Sequence, residues 1–492
     1  MKRLPHILLV IFIIFGSFIF SIEGVSAGLR VSPIGDASPG ADRMNQNIQS
    51  SETRFYLPLI RKGFYPRLYE DSIFGVENST VQPDNWINEM IIAGSKWVRI
   101  NGLIWSEAEP VEGQIDWQSD TIKKMEKELL EANKLGVELI YIVRGTPEWA
   151  RKYPASECGP IKEEKLAAFG DFMGQMVAHF SASPYDLIYW EMGNEPDVAV
   201  IDGEWVYGCW GEMGDEYYGG GYYGEMLKQA YPKMKTENQD IEVLVGGLLL
   251  DCDPVNPPES PPGSGEFKDC TSSKFLQGIL ENGGGPYFDG VSFHSYGYYQ
   301  GGLGKYSNNN WHSSWDTTGP VVNAKTSYLK DVLENYEQSD KYLISTEISL
   351  VCDTGCTDDF EATKANYLAQ AYADSSFLGL RAAIWYDIRG NWRNNGLIQD
   401  NEFMPAYEAY RISHQEIEPA QQVIDISDGW LRGYEFQFSG HRVWVIWSGD
   451  GLGHNYSLPG TPFNVKDVFG NVLTHSQTIY VDYDVLYIEW LP

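Results

Sequence analysis

The chain has 492 residues, 14% of them aromatic, with 16 Trp and 31 Tyr, and a formal charge of −32. That charge argues against a nucleic-acid backbone or an anionic membrane surface as partner and disfavours a strongly anionic substrate, while serving solubility. Length beyond one average domain points to two domains, and the aromatic content supplies both a core and flat surfaces on which sugars could stack.

The chain opens on Met1-Lys2-Arg3, continues through an apolar run from Leu8 to Phe20 and reaches small residues at Val25-Ser26-Ala27. A basic start, apolar middle and small-residue exit predict a signal peptide over 1–27, with a retained anchor as the alternative. The apolar run is short for a span, so a secreted, extracellular protein free of the membrane after cleavage is expected. Residues 28–66 are rich in Gly, Ser, Pro and Asn and read as a linker, apart from the apolar patch Phe55–Ile60.

From residue 67 to 416 short β-branched runs alternate with segments of helical period. The predicted strands are Ser72–Val76, Trp97–Ile100, Glu138–Val143, Leu187–Met192, Glu242–Gly246, Gly290–His294, Tyr342–Ile348 and Ala382–Tyr386. Between them, Ile122, Met125, Leu129 and Ala132 form one helical stripe closed by Gly136. Leu166, Phe169, Met173, Met176 and Phe180 form a second, and 362–377 a third. Eight βα units predict a (β/α)8 TIM barrel. A doubly wound open sheet is the rival, but no glycine-rich phosphate loop follows the first strand. Residues 417–492 change rhythm to short strands such as Val443–Trp447 and Val485–Trp490 separated by Gly/Asn/Asp turns, which predicts a small antiparallel β-sandwich-like domain.

In such a barrel the chemistry sits where strands end at the C-terminal face. The fourth strand ends Trp190-Glu191-Met192-Gly193-Asn194-Glu195-Pro196, which holds a carboxylic acid at the rim with an amide beside it; Pro196 stops the strand. A polar turn is the plain alternative. Glu191 lies deeper and suits a buried partner to an arginine. The seventh strand carries Glu347 in Ser345-Thr346-Glu347-Ile348, a carboxylate among apolar neighbours. Strict alternation groups Leu343, Ser345, Glu347 and Ser349 on one face and Ile344, Ile348 and Leu350 on the other.

These two segments resemble the acid/base and nucleophile motifs of glycoside hydrolase clan A. The resemblance covers roughly 70–415 and extends to Arg99, His294, Tyr296 and Trp385 at the ends of the second, sixth and eighth strands. Trp190–Pro196 and Thr146–Ala150 are similar in style to the β-xylosidase and α-iduronidase family, although Ile348 stands where an aromatic is common. The resemblance implies a retaining glycosidase that cleaves β-linked neutral glycans. In it Glu195 is the acid/base, Glu347 the nucleophile, and Arg99, Asn194, His294, Tyr296 and Trp385 bind substrate. A non-catalytic carbohydrate-binding barrel and a transglycosylase using the same glutamates are the alternatives. No cofactor is implied.

Two aromatic-rich loops, with Trp205, Tyr207, Trp210, Tyr217 and Tyr218 in one and Tyr298, Tyr299, Trp311 and Trp315 in the other, are expected to wall a glycan cleft or to pack on themselves. Asp387, Arg389, Trp392, Arg393 and Asn394 could reach a substrate too, with a solvated loop as the alternative. Six cysteines allow 15 pairings; locality favours Cys158–Cys209, Cys252–Cys270 and Cys352–Cys356. No CxxC knuckle and no histidine pair has zinc spacing, so no metal is expected.

Overall fold

The computed structural model describes residues 72–203, 208–260, 263–300, 311–315, 319–357, 359–390 and 392–491. The expected signal peptide and linker lie outside these, as do Trp205, Tyr207 and the side chain of Trp311.

Eight parallel strands form a closed ring: β1 (Phe74–Glu77), β2 (Trp97–Ile104), β3 (Glu138–Arg144), β4 (Tyr189–Asn194), β5 (Glu242–Leu248), β6 (Gly290–Tyr299), β7 (Tyr342–Val351) and β8 (Ala382–Trp385). Each pairs with the next, and β8 closes on β1 through Gly75↔Ile384 and Val76↔Trp385. The helices that follow the strands are α1 (Ile87–Ile92), α2 (Asp120–Leu135), α3 (Leu166–Phe180), α4 (Gly220–Glu237), α5 (Phe275–Glu281), α6 (Val321–Asn335), α7 (Phe360–Phe377) and α8 (Pro405–Ile417). This is a TIM barrel. As the stripe predicted, Ile122, Met125, Leu129 and Ala132 of α2 are buried, and Gly136 caps the helix in the left-handed region (φ 71).

The barrel interior is layered. Trp97, Ile140, Tyr189, Leu244, Ile344, Ala382 and Ile384 make an apolar floor. Residues two positions further along a strand share the inward face, so the next layer up is Glu77, Arg99, Glu191 and Ser292, linked in that order by hydrogen bonds. This parity overturns two expectations. Ile384 points inward, so Trp385 points out into the helix layer, where it has no exposed surface and its indole N–H donates to Asn395 O at 3.1 Å. In β7 the floor residue Ile344 and Glu347 both face inward, which strict alternation forbids. The pairing with β6 passes from Phe293↔Ser345 to His294↔Glu347, leaving Thr346 as an extra residue that resets the face.

The C-terminal residues form a five-stranded antiparallel sheet and a separate two-stranded one. In chain order the strands are β9 (Gln422–Asp425), β10 (Leu431–Gln437), β11 (Arg442–Ser448), β12 (His454–Ser457), β13 (Asn464–Lys466), β14 (Thr478–Val481) and β15 (Leu486–Trp490). The larger sheet runs β9-β10-β11-β15-β13, and β12 pairs with β14. Both faces of β11 are covered, which is why it reads as an unbroken apolar run. Val443, Val445 and Trp447 join the core that lies under the barrel helices, while Trp444 and Ile446 pack with Ile479 and Val481 of β14.

Candidate active site

Arg99 on β2 organises the centre of the barrel mouth. Its buried guanidinium donates from Nε to Glu191 Oε2 (2.7 Å), from Nη1 to Glu77 Oε2 and Glu347 Oε1 (2.6 Å each), and from Nη2 to Asn194 Oδ1 (2.6 Å). Burial alone would lower its pKa, but the carboxylates of Glu191, Glu77 and Glu347 outweigh that and hold it well above the ordinary value. Glu191 is thus the buried arginine partner its depth suggested, and Ser292 Oγ donates to its second oxygen at 2.6 Å. Glu77 was not singled out in the sequence because the first strand was ended one residue early. Burial raises its carboxyl well above the usual range.

Glu347 accepts from Arg99 on Oε1 and from the Tyr296 hydroxyl on Oε2, so both oxygens are held. Glu195 follows β4 in the left-handed region (φ 53), directly after Gly193 (φ 100) and Asn194. Those two positive φ values turn the chain end so that Asn194 and Glu195 both reach the centre; a glutamate in that region is strained and is retained by its surroundings. Its N–H donates to Gly247 O at 2.8 Å. Burial pushes the Glu195 carboxyl up to about 7, against the opposing pull of Arg99 and Lys325.

His294 lies between the two glutamates, its Nδ1 at 2.9 Å from Glu195 Oε1 and 3.3 Å from Glu347 Oε2. Burial lowers its pKa to about 4, so the ring is neutral near pH 7 and donates from Nδ1. Close approach of the β5 backbone requires glycine here, since a Cβ on Gly247 would fall 2.3 Å from His294 Nε2. Lys325 of α6, buried, donates to His294 O at 2.8 Å and Leu249 O at 2.7 Å; desolvation lowers it to about 8. Asp197, raised to about 7 by burial, accepts from the N–H groups of Leu249 and Leu250 and ties the loop after β4 to that after β5.

Glu195, His294 and Glu347 each place one ligating atom within 4.8 Å of the others, so the two carboxylates share the mouth at that spacing. They are also the group, among the described residues, with metal-ligand spacing. The donor set fits a cation poorly: Glu347 already accepts two hydrogen bonds and His294 Nδ1 is turned to both carboxylates.

Of the residues expected to bind substrate, Asn194 and Tyr296 keep some exposed surface at the mouth, whereas Arg99 and His294 are fully buried and act on the glutamates. Trp385 is not in the site at all. The residue after it, Tyr386, takes the inward place, its ring 6.0 Å from that of Tyr296. Asp387 follows, raised to about 7 mainly by burial, with the charge of Glu347 adding to it. Three rings of the aromatic loops follow the packing alternative. Trp210, Tyr299 and Trp315 are buried and pack on Tyr223, Phe360 and Tyr328. Trp392 is 43% exposed.

Three disulfides surround the mouth. Cys158–Cys209 links the loops after β3 and β4, Cys252–Cys270 spans the loop after β5, and Cys352–Cys356 directly follows β7. No helix among the described residues is long and apolar enough to cross a membrane.

The fold is a TIM barrel with two carboxylates set close together at its mouth. No protein-family model matches the sequence, and no curated protein matches it. Solved structures do. A family 39 glycoside hydrolase from the gut symbiont Bacteroides cellulosilyticus superposes with a TM-score of 0.62 at 18% identity, over 85% of this chain and 81% of that one. A monomeric beta-xylosidase from Caulobacter crescentus gives 0.54 at 12% identity, over 87% and 97%. A glycoside hydrolase family 30 subfamily 8 xylanase from Clostridium acetobutylicum gives 0.52 at 12% identity, over 85% and 95%. What is shared at these identities is the fold.

Proposed function

We propose that the chain is an exported, retaining glycoside hydrolase that cleaves β-linked neutral glycans, with Glu347 as nucleophile and Glu195 as acid/base. One observation carries the reading: carboxylate oxygens of Glu195 and Glu347 lie within 4.8 Å of each other. Retaining enzymes hold their carboxyl groups about 5–5.5 Å apart, whereas inverting ones leave about 6.5–9.5 Å for a water molecule.

The chemistry follows from the contacts. Glu347, oriented by Arg99 and Tyr296, attacks the anomeric carbon as Glu195 passes its proton to the departing oxygen. Water then displaces Glu347, giving its proton to the Glu195 carboxylate. A carboxyl raised to about 7 stays protonated below neutrality, as the first step requires. Because that acid must hold its proton, kcat/KM should fall as pH rises through about 7. Asn194, its oxygen fixed by Arg99, turns its NH2 group toward sugar hydroxyls. The three disulfides support export, since such bonds persist in oxidising compartments.

Azide tests the assignment. With Glu195→Ala, an aryl glycoside still forms the covalent intermediate, and azide should restore turnover and give the β-glycosyl azide. Glu347→Ala forms no intermediate, and azide should instead yield the α-azide. Exchanged anomers would reverse these roles, and the same anomer from both variants would remove them. Two fully active variants would put the chemistry on other residues of the barrel, and a wild type inactive on every glycoside would leave the carbohydrate-binding barrel as the better reading. Product analysis with acceptor sugars separates hydrolysis from transglycosylation.

A further inference from the structure

Trp392 sits on a short 3-10 turn (Trp392–Asn394) after β8, with its indole 43% exposed beside the site. Its ring meets Tyr296 edge-on at 5.5 Å and Tyr386 at 5.7 Å. Tyr296 in turn reaches Glu347 through its hydroxyl, so Trp392 stands one aromatic ring removed from the proposed nucleophile.

The turn is held from both sides. The Arg393 guanidinium lies 4.7 Å from the Trp392 ring centre, which occupies one side of the indole, and its Nε is paired with Asp353 Oδ1 at 2.7 Å. The Cys352 N–H donates to Arg393 O at 2.8 Å, and Asn394 Nδ2 donates to Cys352 O at 3.1 Å. Both contacts engage the loop closed by Cys352–Cys356, so the disulfide directly after β7 anchors the turn that presents the ring. An exposed indole fixed in this way presents apolar area without a large ordering cost on binding.

Position in the ring decides which part of a substrate it meets. Glu195 follows β4, and β8 lies diametrically across the eight-stranded ring from β4. The acid must reach the glycosidic oxygen, so the leaving group is on the β4 side and the glycone body extends toward β8. On that same side a polar cavity of about 390 Å³ opens between β1 and β8, lined by Asn78, Asn85, Asp387, Arg389, Asp400 and Asn401. Amides and carboxylates suit hydroxyl groups; an exposed ring suits a C–H sugar face.

Resting on the glycosidase reading, we infer that Trp392 is the stacking platform for a second, neutral glycone sugar beyond the one attacked by Glu347. The enzyme then prefers substrates with at least two sugar units on the glycone side.

Para-nitrophenyl xyloside and xylobioside, glucoside and cellobioside, each β-linked, form the test set. The wild type should favour the bioside of whichever pair it cleaves. Trp392→Ala should reduce the bioside-to-monoside ratio of kcat/KM about tenfold, chiefly through KM, the equivalent of one stacked ring. Trp392→Phe should recover most of that ratio. A wild type indifferent to glycone length, or an alanine variant that loses both activities equally, overturns the inference and leaves the glycosidase reading standing. A wild type inactive on all four glycosides and on their β-mannoside and β-galactoside counterparts overturns both.

Discussion

Replacing Glu195 by glutamine should make the protein more stable above neutral pH while crippling it. The carboxyl titrates near 4.5 in an unfolded chain and at about 7 in this buried site. Between those values the native state binds more protons than the unfolded one, so stability falls as pH rises, and above about 7 the full penalty is present. Holding that charge in the barrel mouth costs the native state about 3 kcal/mol, the free-energy equivalent of the pKa difference. Glutamine keeps the shape and an oxygen for His294 but never ionises. Urea unfolding of both proteins at pH 4 and pH 8 isolates the effect. The stability of Glu195→Gln relative to wild type should rise between those pH values by about 3 kcal/mol. Asp197 and Asp387 titrate in the same direction, but they remain in both proteins and largely cancel in the comparison. A relative stability that stays flat with pH, or declines, would refute the claim that burial holds a proton on Glu195.

Two further outcomes follow from the same contacts. Arg99→Met removes the one guanidinium shared by Glu77, Glu191 and Glu347, and should lower unfolding free energy by about 3–5 kcal/mol in urea at pH 7; a change below about 1 kcal/mol would mean the cluster is solvated. Gly247→Ala drives a methyl group into the space of His294 Nε2. It should cost about 1–3 kcal/mol of stability and move the alkaline limb of the pH–rate profile, because the His294–Glu195 contact shifts with the ring. An unchanged profile would dissociate His294 from the acid.

The barrel was legible because each βα unit is local: a β-branched run, a turn, then a stripe of period 3.6. The ends of β4 and β7 were legible because a carboxylate in an apolar strand is costly and therefore conspicuous. What failed was parity. Trp385 and Tyr386 are adjacent, and a one-residue choice of register decides which faces the axis. Nothing local settles it; the pairing Val76↔Trp385 across β1 does. Glu347 shares a face with Leu343, Ser345 and Ser349 only by an alternation that the chain does not follow, since Thr346 interrupts it. Glu77 could have been found by the same reasoning, as the residue in register with Arg99. The aromatic loops misled for a different reason. Rings among Gly and Asn lack any period, and that says nothing about whether they pack on a neighbouring helix, as Trp315 does on Tyr328.

The helix α7 has consequences for how the molecule holds together. Nearly its whole circumference is buried. One side lies on the barrel, and on the other Asn366, Gln370 and Asp374 hydrogen-bond Asp484, Tyr483 and Tyr434 of the C-terminal sheet region. Val485 N–H returns to Asn366, and Phe377 stacks on Tyr434 at 4.8 Å. A helix so shared belongs to neither layer alone. Its amides can open to solvent only when sheet and barrel part together, so the two rise and fall in one cooperative transition. The β7–α7–β8 segment, which carries Glu347 at one end and Tyr386 at the other, is clamped from outside by residues sixty or more positions beyond their partners in the chain. Rigidity at the barrel mouth is in this sense supplied by strands that come after the whole barrel in the chain.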